Sequence, residues 1–331
     1  MSLNTFYKIE KDKIICQLCQ HYCKLKNNQI GICGVNKNIN NKLENLVYGK
    51  ISAINIDPIE KKPLYHFLPS SKSLSIGTVG CNFKCPFCQN WQISQSSNID
   101  NSTQITPKEV VDISLKYGCK SISYTYNEPT IFYPFAKDIA IIAKKAGLKN
   151  IFVSNGLETK EIIEDMQGII DAFNIDIKSF YAKYYKTDLK GNLNGVLDTL
   201  KLIKSKNFWL ECTTLVIPEE NDSYKQIKEI GDFISKELGK DTPWHLSAFY
   251  PNYKKQNKQT TPFRTLLIAY NIAKESQLEN VYLGNVAFTN ITYCPNCKSE
   301  LIKRDGYNIL KNIIKDNKCP KCNNKIAGIW R

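Results

Sequence analysis

Arginine, methionine and histidine are scarce in this chain, and long apolar runs are missing from it. Its 331 residues include three histidines, two methionines and only three arginines, Arg264, Arg304 and Arg331. No run of about 18 apolar residues exists, so the sequence predicts no membrane-spanning helix. The first eight residues contain no apolar signal region, and we therefore expect a cytoplasmic protein.

The chain is basic, and lysine supplies nearly all of its positive charge. The formal net charge is +14 at pH 7. Proteins that read nucleic-acid bases often use arginine for bidentate contacts, so a dispersed lysine excess is weaker support for such a role. An RNA partner, an acidic partner protein and an ordinary solvated surface all remain open on this basis.

The chain contains thirteen cysteines, which is a high number for a cytosolic protein. Because thiols stay reduced in the cytosol, this number favours metal binding over disulfide bonds. Cys119 and Cys212 lie alone in apolar elements, where a small buried side chain is expected. The other eleven form three groups, which we call the N-terminal group (Cys16, Cys19, Cys23 and Cys33), the central triad (Cys81, Cys85 and Cys88) and the C-terminal tetrad (Cys294, Cys297, Cys319 and Cys322).

Strand-like and helix-like segments alternate between the central triad and the C-terminal tetrad. Strands are predicted at Leu74–Ile76, Ser121–Tyr126, Ile151–Ser154, Ala172–Ile177, Phe208–Val216, Trp244–Phe249 and Val281–Leu283. This alternation implies parallel strands joined by right-handed crossovers. We expect an α/β fold with a full or partial barrel of six to eight β/α units, with a small cysteine-rich segment (1–70), a barrel domain (71–290) and a zinc ribbon (291–331).

The central triad has the spacing C-x3-C-x2-C in a short loop after the first predicted strand. A closed zinc site takes four ligands, so three thiolates leave one position to be filled. Iron–sulfur clusters are held by thiolates, and an iron without a cysteine is open to another ligand. A zinc site completed by a distant residue is the alternative.

The triad, followed by an aromatic-rich stretch, resembles the signature of the radical SAM superfamily. The resemblance implies that Cys81, Cys85 and Cys88 hold a 4Fe–4S cluster whose fourth iron binds S-adenosylmethionine. It also implies that one electron from the cluster yields a 5′-deoxyadenosyl radical, which takes a hydrogen atom from the substrate. In such chemistry the protein positions the reacting groups and shields them from water, and the cofactor carries out the reaction.

Polar residues at later predicted strand ends extend this resemblance. Tyr126-Asn127-Glu128-Pro129 stands where the family has Gly-Gly-Glu-Pro, and Asp176-Ile177-Lys178 resembles the Asp-Leu-Lys of pyruvate formate-lyase activating enzymes. The carboxyl ends of barrel strands carry the site. The candidate cofactor-binding residues are Asn127, Glu128, Ser154, Asn155, Asp176, Lys178 and His245. By the resemblance, Lys178 pairs with the methionyl carboxylate. Taken singly, each of these residues also has an ordinary structural role.

The C-terminal tetrad consists of two C-x2-C knuckles, which is the signature of a zinc ribbon. A structural role is expected, with docking of a partner or RNA as a further role and a second 4Fe–4S cluster as the alternative. The N-terminal group is less regular, and His21 lies inside it. The spacing of these cysteines does not distinguish a zinc site, an auxiliary iron–sulfur cluster and a set of reduced thiols. His21 could replace one thiolate as a ligand.

Several longer strings resemble the radical SAM enzymes of the AmmeMemoRadiSam system, which are similar to pyruvate formate-lyase activating enzymes. They are Cys16–Cys23, Asp57–Leu64, Thr78–Asn82, Tyr124–Pro129 and Tyr282–Val286. The resemblance implies Memo-type and AMMECR-type partner proteins, an electron donor, and hydrogen abstraction from a protein or peptide. A radical SAM enzyme that modifies RNA is the second hypothesis, and a metal-binding interaction module without catalysis is the third.

Overall fold

The computed structural model describes residues 6–331. These residues form two compact units. The first consists of the chain up to Asp57, Lys72–Phe173 and Ala182–Phe208, and the second consists of Pro58–Ser71, Asn174–Tyr181 and Trp209–Arg331. Within the described range, every helix is too short or too polar to cross a membrane. The three-domain division 1–70, 71–290 and 291–331 stays a prediction.

The strands and helices follow one another in a largely alternating order after residue 71. The strands are β1 (Tyr7–Glu10), β2 (Lys13–Cys16), β3 (Lys24–Lys26), β4 (Asn36–Ile39), β5 (Lys42–Asn45), β6 (Lys50–Ile51), β7 (Ala53–Pro58), β8 (Lys72–Gly77), β9 (Thr103–Gln104), β10 (Ser121–Tyr124), β11 (Lys149–Ser154), β12 (Ala172–Asp176), β13 (Trp209–Val216), β14 (Trp244–Ala248), β15 (Val281–Gly284), β16 (Thr289–Tyr293), β17 (Glu300–Asp305) and β18 (Asn308–Asn312). The helices are α1 (Trp91–Ser94), α2 (Pro107–Lys116), α3 (Tyr133–Lys145), α4 (Lys160–Asp165), α5 (Ala182–Tyr184), α6 (Leu193–Ser205), α7 (Tyr224–Phe233) and α8 (Phe263–Glu275).

The main sheet has eight strands in the order β15-β14-β13-β12-β11-β10-β8-β7. In the first unit, β10 pairs in parallel with both β8 and β11. In the second unit, β14 pairs in parallel with both β13 and β15. All seven predicted strands are present, and the predicted α/β fold is confirmed.

Small antiparallel sheets occupy both ends of the chain. The cysteine-rich N-terminal segment forms the sheet β1-β2-β3 and the hairpin β4-β5. The C-terminal tetrad flanks the ribbon β16-β17-β18, with Cys294 directly after β16. Such small sheets bury little apolar surface, so bound metal is the usual means of stabilising them.

Helix ends follow the local signals in the sequence. Thr106 and Glu109 form a capping box at the start of α2, with the Glu109 backbone N–H donating to Thr106 Oγ1 and the Thr106 backbone N–H donating to Glu109 Oε2. Gly147, with φ of 80°, follows the end of α3 as expected. Helix α8 begins at Phe263, and Pro262 precedes it as the extended N-cap residue rather than as a first-turn residue.

Arg304 is the central charged side chain of the second unit's interior, with no exposed surface. Its guanidinium donates to Thr292 Oγ1 at 2.8 Å and to the Tyr65 carbonyl at 2.6 Å. The guanidinium carbon lies 4.5 Å from the Tyr65 ring centroid and 5.7 Å from that of Tyr282. Aromatic faces attract such a cation most strongly where water is excluded. Arg304 therefore joins the ribbon strand β17 to the rest of this unit.

Replacement of Arg304 tests this buried contact. Arg304→Leu leaves the Tyr65 carbonyl and the Thr292 hydroxyl without their donor, and we expect a loss of about 2–3 kcal/mol in the free energy of unfolding. Thermal melting followed by circular dichroism should show a midpoint several degrees lower. The matched control is Arg264→Leu, which removes an exposed arginine and should melt like the wild type. Equal midpoints for the two variants would contradict the assignment.

Candidate active site

The central triad lies in the loop that follows β8, within the first unit. Cys81 and Cys85 are buried and Cys88 is half-buried. The Cys88 backbone N–H donates to the Cys85 carbonyl at 3.3 Å, and the Phe83 N–H approaches Cys81 Sγ at 3.4 Å. Cys88 Sγ lies 3.1 Å from Ser94 Oγ. The loop thus folds tightly around its three sulfur atoms.

Asn127 holds the part of this loop that precedes Cys81. Its Nδ2 donates to Thr78 Oγ1 at 3.0 Å and to the Gly80 carbonyl at 2.9 Å. Its Oδ1 accepts the Thr78 backbone N–H at 3.2 Å. Asn127 was predicted to bind the cofactor, and in this structure its side-chain amide is engaged with the loop itself. Its role toward S-adenosylmethionine stays a prediction.

Tyr126 adopts a backbone conformation that favours glycine. Its φ is 72°, in the left-handed region that costs a non-glycine residue about 1 kcal/mol or more. The Gly-Gly-Glu-Pro motif that this stretch resembles would place glycine at this position. The Tyr126 hydroxyl donates to Asp57 Oδ2 at 2.9 Å, a contact that glycine cannot make.

The Glu128 carboxyl group accepts hydrogen bonds from residues at the ends of two neighbouring strands, β10 and β11. Its Oε1 accepts from the Thr130 N–H at 3.0 Å, the Thr130 hydroxyl at 2.7 Å and the Ser154 hydroxyl at 2.9 Å. Its Oε2 accepts from the Asn155 N–H at 2.8 Å. Burial nevertheless raises the pKa of Glu128 above its usual value. The sequence predicted these strand-end residues, and the structure joins Glu128, Ser154 and Asn155 in one network.

Asn82 connects that network to the loop beyond Cys81. Asn155 Nδ2 donates to Asn82 Oδ1 at 2.7 Å, and Cys81 Sγ lies 3.9 Å from the same oxygen. No role was predicted for Asn82 from the sequence, because its only notable feature there is its position next to Cys81. Asn127 and Asn155 therefore hold the loop on the two sides of Cys81.

The triad suits a cluster better than a single ion. Burial raises the pKa of Cys81 well above its usual value, and the charges of Glu128 and the neighbouring thiols raise it further. Bound iron would supply the positive charge that such thiolates need. In the part of the chain that the structure describes, only the C-terminal tetrad brings three or more ligand atoms within 4.8 Å of one another. The wider spacing of the triad fits thiolates that each bind a different iron.

Asp176, Lys178 and His245 belong to the second unit. Lys178 Nζ lies 2.6 Å from Asp176 Oδ2. His245 is buried, and its Nε2 lies 2.7 Å from Glu211 Oε2. Glu211 also accepts the backbone N–H groups of Tyr65 and His66. His245 thus has one nitrogen bound within its own unit, and the cofactor contacts assigned to these three residues stay predictions.

The C-terminal tetrad forms a compact set of four sulfur atoms. Cys294 Sγ lies 3.5 Å from Cys322 Sγ, and Cys297 Sγ lies 3.7 Å from Cys319 Sγ. Four sulfurs bound tetrahedrally to one ion at about 2.3 Å are separated by roughly 3.8 Å. A hydrogen bond from the Ser299 hydroxyl lowers the pKa of Cys297 to about 6, which favours the thiolate that a metal binds. The tetrad can hold one metal ion.

Glu158 is a buried carboxyl group that the sequence analysis did not single out. It is 1% exposed, and neither of its carboxyl oxygens has a hydrogen-bond partner among the described residues. Burial and the negative charge of Glu128 raise the pKa of Glu158 to about 8. Glu158 is therefore expected to be protonated at neutral pH, beside a Glu128 that accepts several hydrogen bonds.

This pKa makes the contribution of Glu158 to stability depend on pH. Between its unfolded value of 4.5 and about 8, the folded state holds the proton that the unfolded state has lost, so stability falls as pH rises. Glu158→Gln removes this loss. The melting midpoint of the variant, relative to the wild type, should rise by a few degrees from pH 6 to pH 8.5.

The exposed Glu164→Gln is the matched control for this comparison. Its midpoint should follow that of the wild type at both pH values, because the Glu164 side chain is exposed. If Glu158→Gln also parallels the wild type, the Glu158 carboxyl is ionised in the folded protein.

The chain is similar to several known proteins. A model of the Radical SAM superfamily matches residues 75–234. The Methanocaldococcus jannaschii "Uncharacterized protein MJ0808" is 41% identical over 327 residues, which are 97% of each chain. MJ1227 of the same organism, provisionally named a glycyl-radical enzyme activating enzyme, is 29% identical over 162 residues, 46% of this chain and 65% of that protein.

A solved structure agrees at the level of the fold. Streptococcus suis SuiB bound to precursor peptide SuiA has a TM-score of 0.50 and 16% identity, over 69% of this chain and 51% of that chain. The family match begins in β8 and includes the central triad. It opposes the hypothesis of an interaction module without catalysis. The chain is an enzyme that belongs to the radical SAM superfamily.

Proposed function

We propose that this enzyme cleaves S-adenosylmethionine reductively and uses the resulting radical to take a hydrogen atom from a protein or peptide. The observation that carries the cleavage step is the central triad, three thiols held in one loop at the strand ends and spaced more widely than a single ion requires. Two relatives, MJ1227 and MJ1632, are provisionally named glycyl-radical enzyme activating enzymes, which favours a protein or peptide substrate.

Cys81, Cys85 and Cys88 would hold the 4Fe–4S cluster. When bound, this cluster supplies the electron that breaks the sulfonium bond of S-adenosylmethionine. Asn127 and Asn155 fix the loop on both sides of Cys81, and burial of the thiols excludes water from them. Glu128 and Ser154 hold the neighbouring strand ends in register with the loop.

The same strand ends are the proposed contacts for S-adenosylmethionine. Glu128 and Asn127 use their side chains within the protein, so their part in binding would come from backbone groups. By resemblance to the activating enzymes, Lys178 would be the partner of the methionyl carboxylate, with Asp176 and His245 as further candidate contacts. A cationic amine suits a carboxylate partner because the hydrogen bond between them is charge-assisted.

The proposed chemistry predicts a product that can be measured. Anaerobically purified protein, reconstituted with iron and sulfide and reduced with dithionite, should form 5′-deoxyadenosine from S-adenosylmethionine. Cys85→Ala should lower this product at least about a hundredfold, because one iron loses its ligand. Cys119→Ala, which removes a buried cysteine outside all three groups, is the matched control and should retain the activity. Equal amounts of 5′-deoxyadenosine from Cys85→Ala and the wild type would contradict the proposal.

We further propose that the C-terminal tetrad binds zinc as a structural ribbon. The sulfur separations of 3.5 and 3.7 Å match a tetrahedral site, and the adjacent core of Leu301, Ile302 and Ile326 is small. Such domains commonly depend on their metal for folding.

Elemental analysis of Cys294→Ser tests the zinc proposal. We expect the wild type to carry about one zinc per chain and the variant to lose it, together with a lower melting midpoint. Ser205→Ala, at an exposed position of the first unit, leaves the ribbon untouched and should keep the zinc. Iron in place of zinc in the wild type would instead indicate the alternative, a second cluster at the tetrad.

RNA modification is a second candidate function, supported by the charge of the ribbon segment. Residues 291–331 contain nine lysines and arginines (298, 303, 304, 311, 315, 318, 321, 325 and 331) and three acidic residues (300, 305 and 316). All of the basic residues except Arg304 and Lys303 are exposed. RNA affinity that falls steeply with salt would favour this function over a peptide substrate.

By resemblance we also propose that the enzyme belongs to the AmmeMemoRadiSam system and acts with Memo-type and AMMECR-type proteins and an electron donor. The cytoplasm is the proposed compartment, since reducing conditions keep thirteen cysteines available as thiols.

A further inference from the structure

The four cysteines of the N-terminal group converge in the first unit, although 18 residues of chain contain them. Cys16 ends β2, and its backbone N–H donates to the Cys23 carbonyl at 3.0 Å. A Cβ on Gly31 would lie 3.7 Å from the Sγ atoms of both Cys23 and Cys33. Cys16, Cys19 and Cys33 are each 7% exposed. The thiols therefore face one another in a mostly buried pocket.

The spacing of these sulfur atoms differs from that of the C-terminal tetrad. Among the described residues, the tetrad alone has three or more ligand atoms within 4.8 Å of one another. The N-terminal group and the central triad are both more widely spaced. Four thiolates on one zinc ion sit close together, whereas thiolates on the corners of a cluster do not. In this respect the N-terminal group matches the triad.

One ring nitrogen of His21 is bound to the loop of the central triad. Its Nε2 lies 3.0 Å from the Asn82 carbonyl oxygen and is engaged with it as a donor. The four cysteines themselves offer four sulfur ligands, which is the ligand set of a 4Fe–4S cluster.

Amide groups are directed at the sulfur atoms of this pocket. Asn36 Nδ2 lies 3.4 Å from Cys33 Sγ. The Asn82 side chain faces Cys19. Asn82 Nδ2 is buried without a hydrogen-bond partner among the described residues. Amides placed in this way stabilise the sulfurs of a bound cluster.

The pocket adjoins the loop of the central triad. Gly80 has φ of 89°, and a Cβ there would lie 2.6 Å from the Cys33 carbonyl oxygen, so the two segments pack backbone against backbone. Asn82 faces Cys19 on one side and lies 3.9 Å from Cys81 Sγ through its Oδ1. One asparagine side chain thus separates the two sets of thiols.

We propose that Cys16, Cys19, Cys23 and Cys33 bind a second 4Fe–4S cluster, adjacent to the cluster of the central triad and separated from it by Asn82. The position relative to a triad cluster rests on the proposed function, whereas iron binding by the four cysteines does not. Zinc at the N-terminal group is the competing occupant.

Iron content of the full-length chain tests this proposal. After anaerobic reconstitution with iron and sulfide, the wild type should hold about eight irons per chain. Cys19→Ser/Cys23→Ser and Cys85→Ala/Cys88→Ala should each hold about half that number, and Cys119→Ser should match the wild type. A far-ultraviolet circular dichroism spectrum like that of the wild type shows that each variant has folded.

The two possible failures are distinguishable. Full iron content in Cys19→Ser/Cys23→Ser, or a wild type with about four irons and an additional zinc, would overturn the second cluster. Full iron content in Cys85→Ala/Cys88→Ala would instead oppose the proposed function and leave the second cluster standing.

Electron paramagnetic resonance of the reduced proteins tests the position of the two clusters. Neighbouring reduced clusters interact magnetically, so the wild-type spectrum should differ from the sum of the spectra of the two double variants. A wild-type spectrum that equals this sum would refute the placement of the clusters on either side of Asn82.

Discussion

Neutral side-chain amides hold the loop around Cys81, and the arrangement of the first unit depends on them. Asn127 binds the loop before Cys81 and Asn155 binds Asn82 after it. An amide donates and accepts hydrogen bonds without adding charge. A lysine or aspartate at these positions would shift the pKa of a buried thiol directly. The strand ends can therefore fix the loop while the iron remains the principal source of positive charge.

Glu128 is an ionisable side chain next to these neutral amides, and its hydrogen bonds allow it to be buried there. Four hydrogen bonds from Thr130, Ser154 and Asn155 compensate for its burial. Its charge nevertheless raises the pKa of both Cys81 and Glu158. The carboxylate thus organises two strand ends and increases the negative potential at the triad.

Local patterns predicted much of this molecule. Strand–helix alternation placed the sheet strands, Thr106 and Glu109 marked the start of a helix, and cysteine spacing identified the triad and the tetrad. The roles of Asn82, Glu158 and Arg304 could not be predicted, because their partners are remote in sequence. Asn82 meets Asn155 across 73 positions, and Arg304 meets Tyr65 across 239. No periodic pattern encodes such contacts.

The segment between Cys19 and Cys23 binds residues that are synthesised much later. Gln20, between Cys19 and Cys23, donates to the carbonyl groups of Glu158 and Gly195, the latter 175 positions further along the chain. At about 5–20 residues per second, that segment follows roughly 10–35 s after Gln20. The segment around Gln20 therefore leaves the ribosome well before the residues that its side chain binds, and this part of the first unit can be completed only after Gly195 has been synthesised.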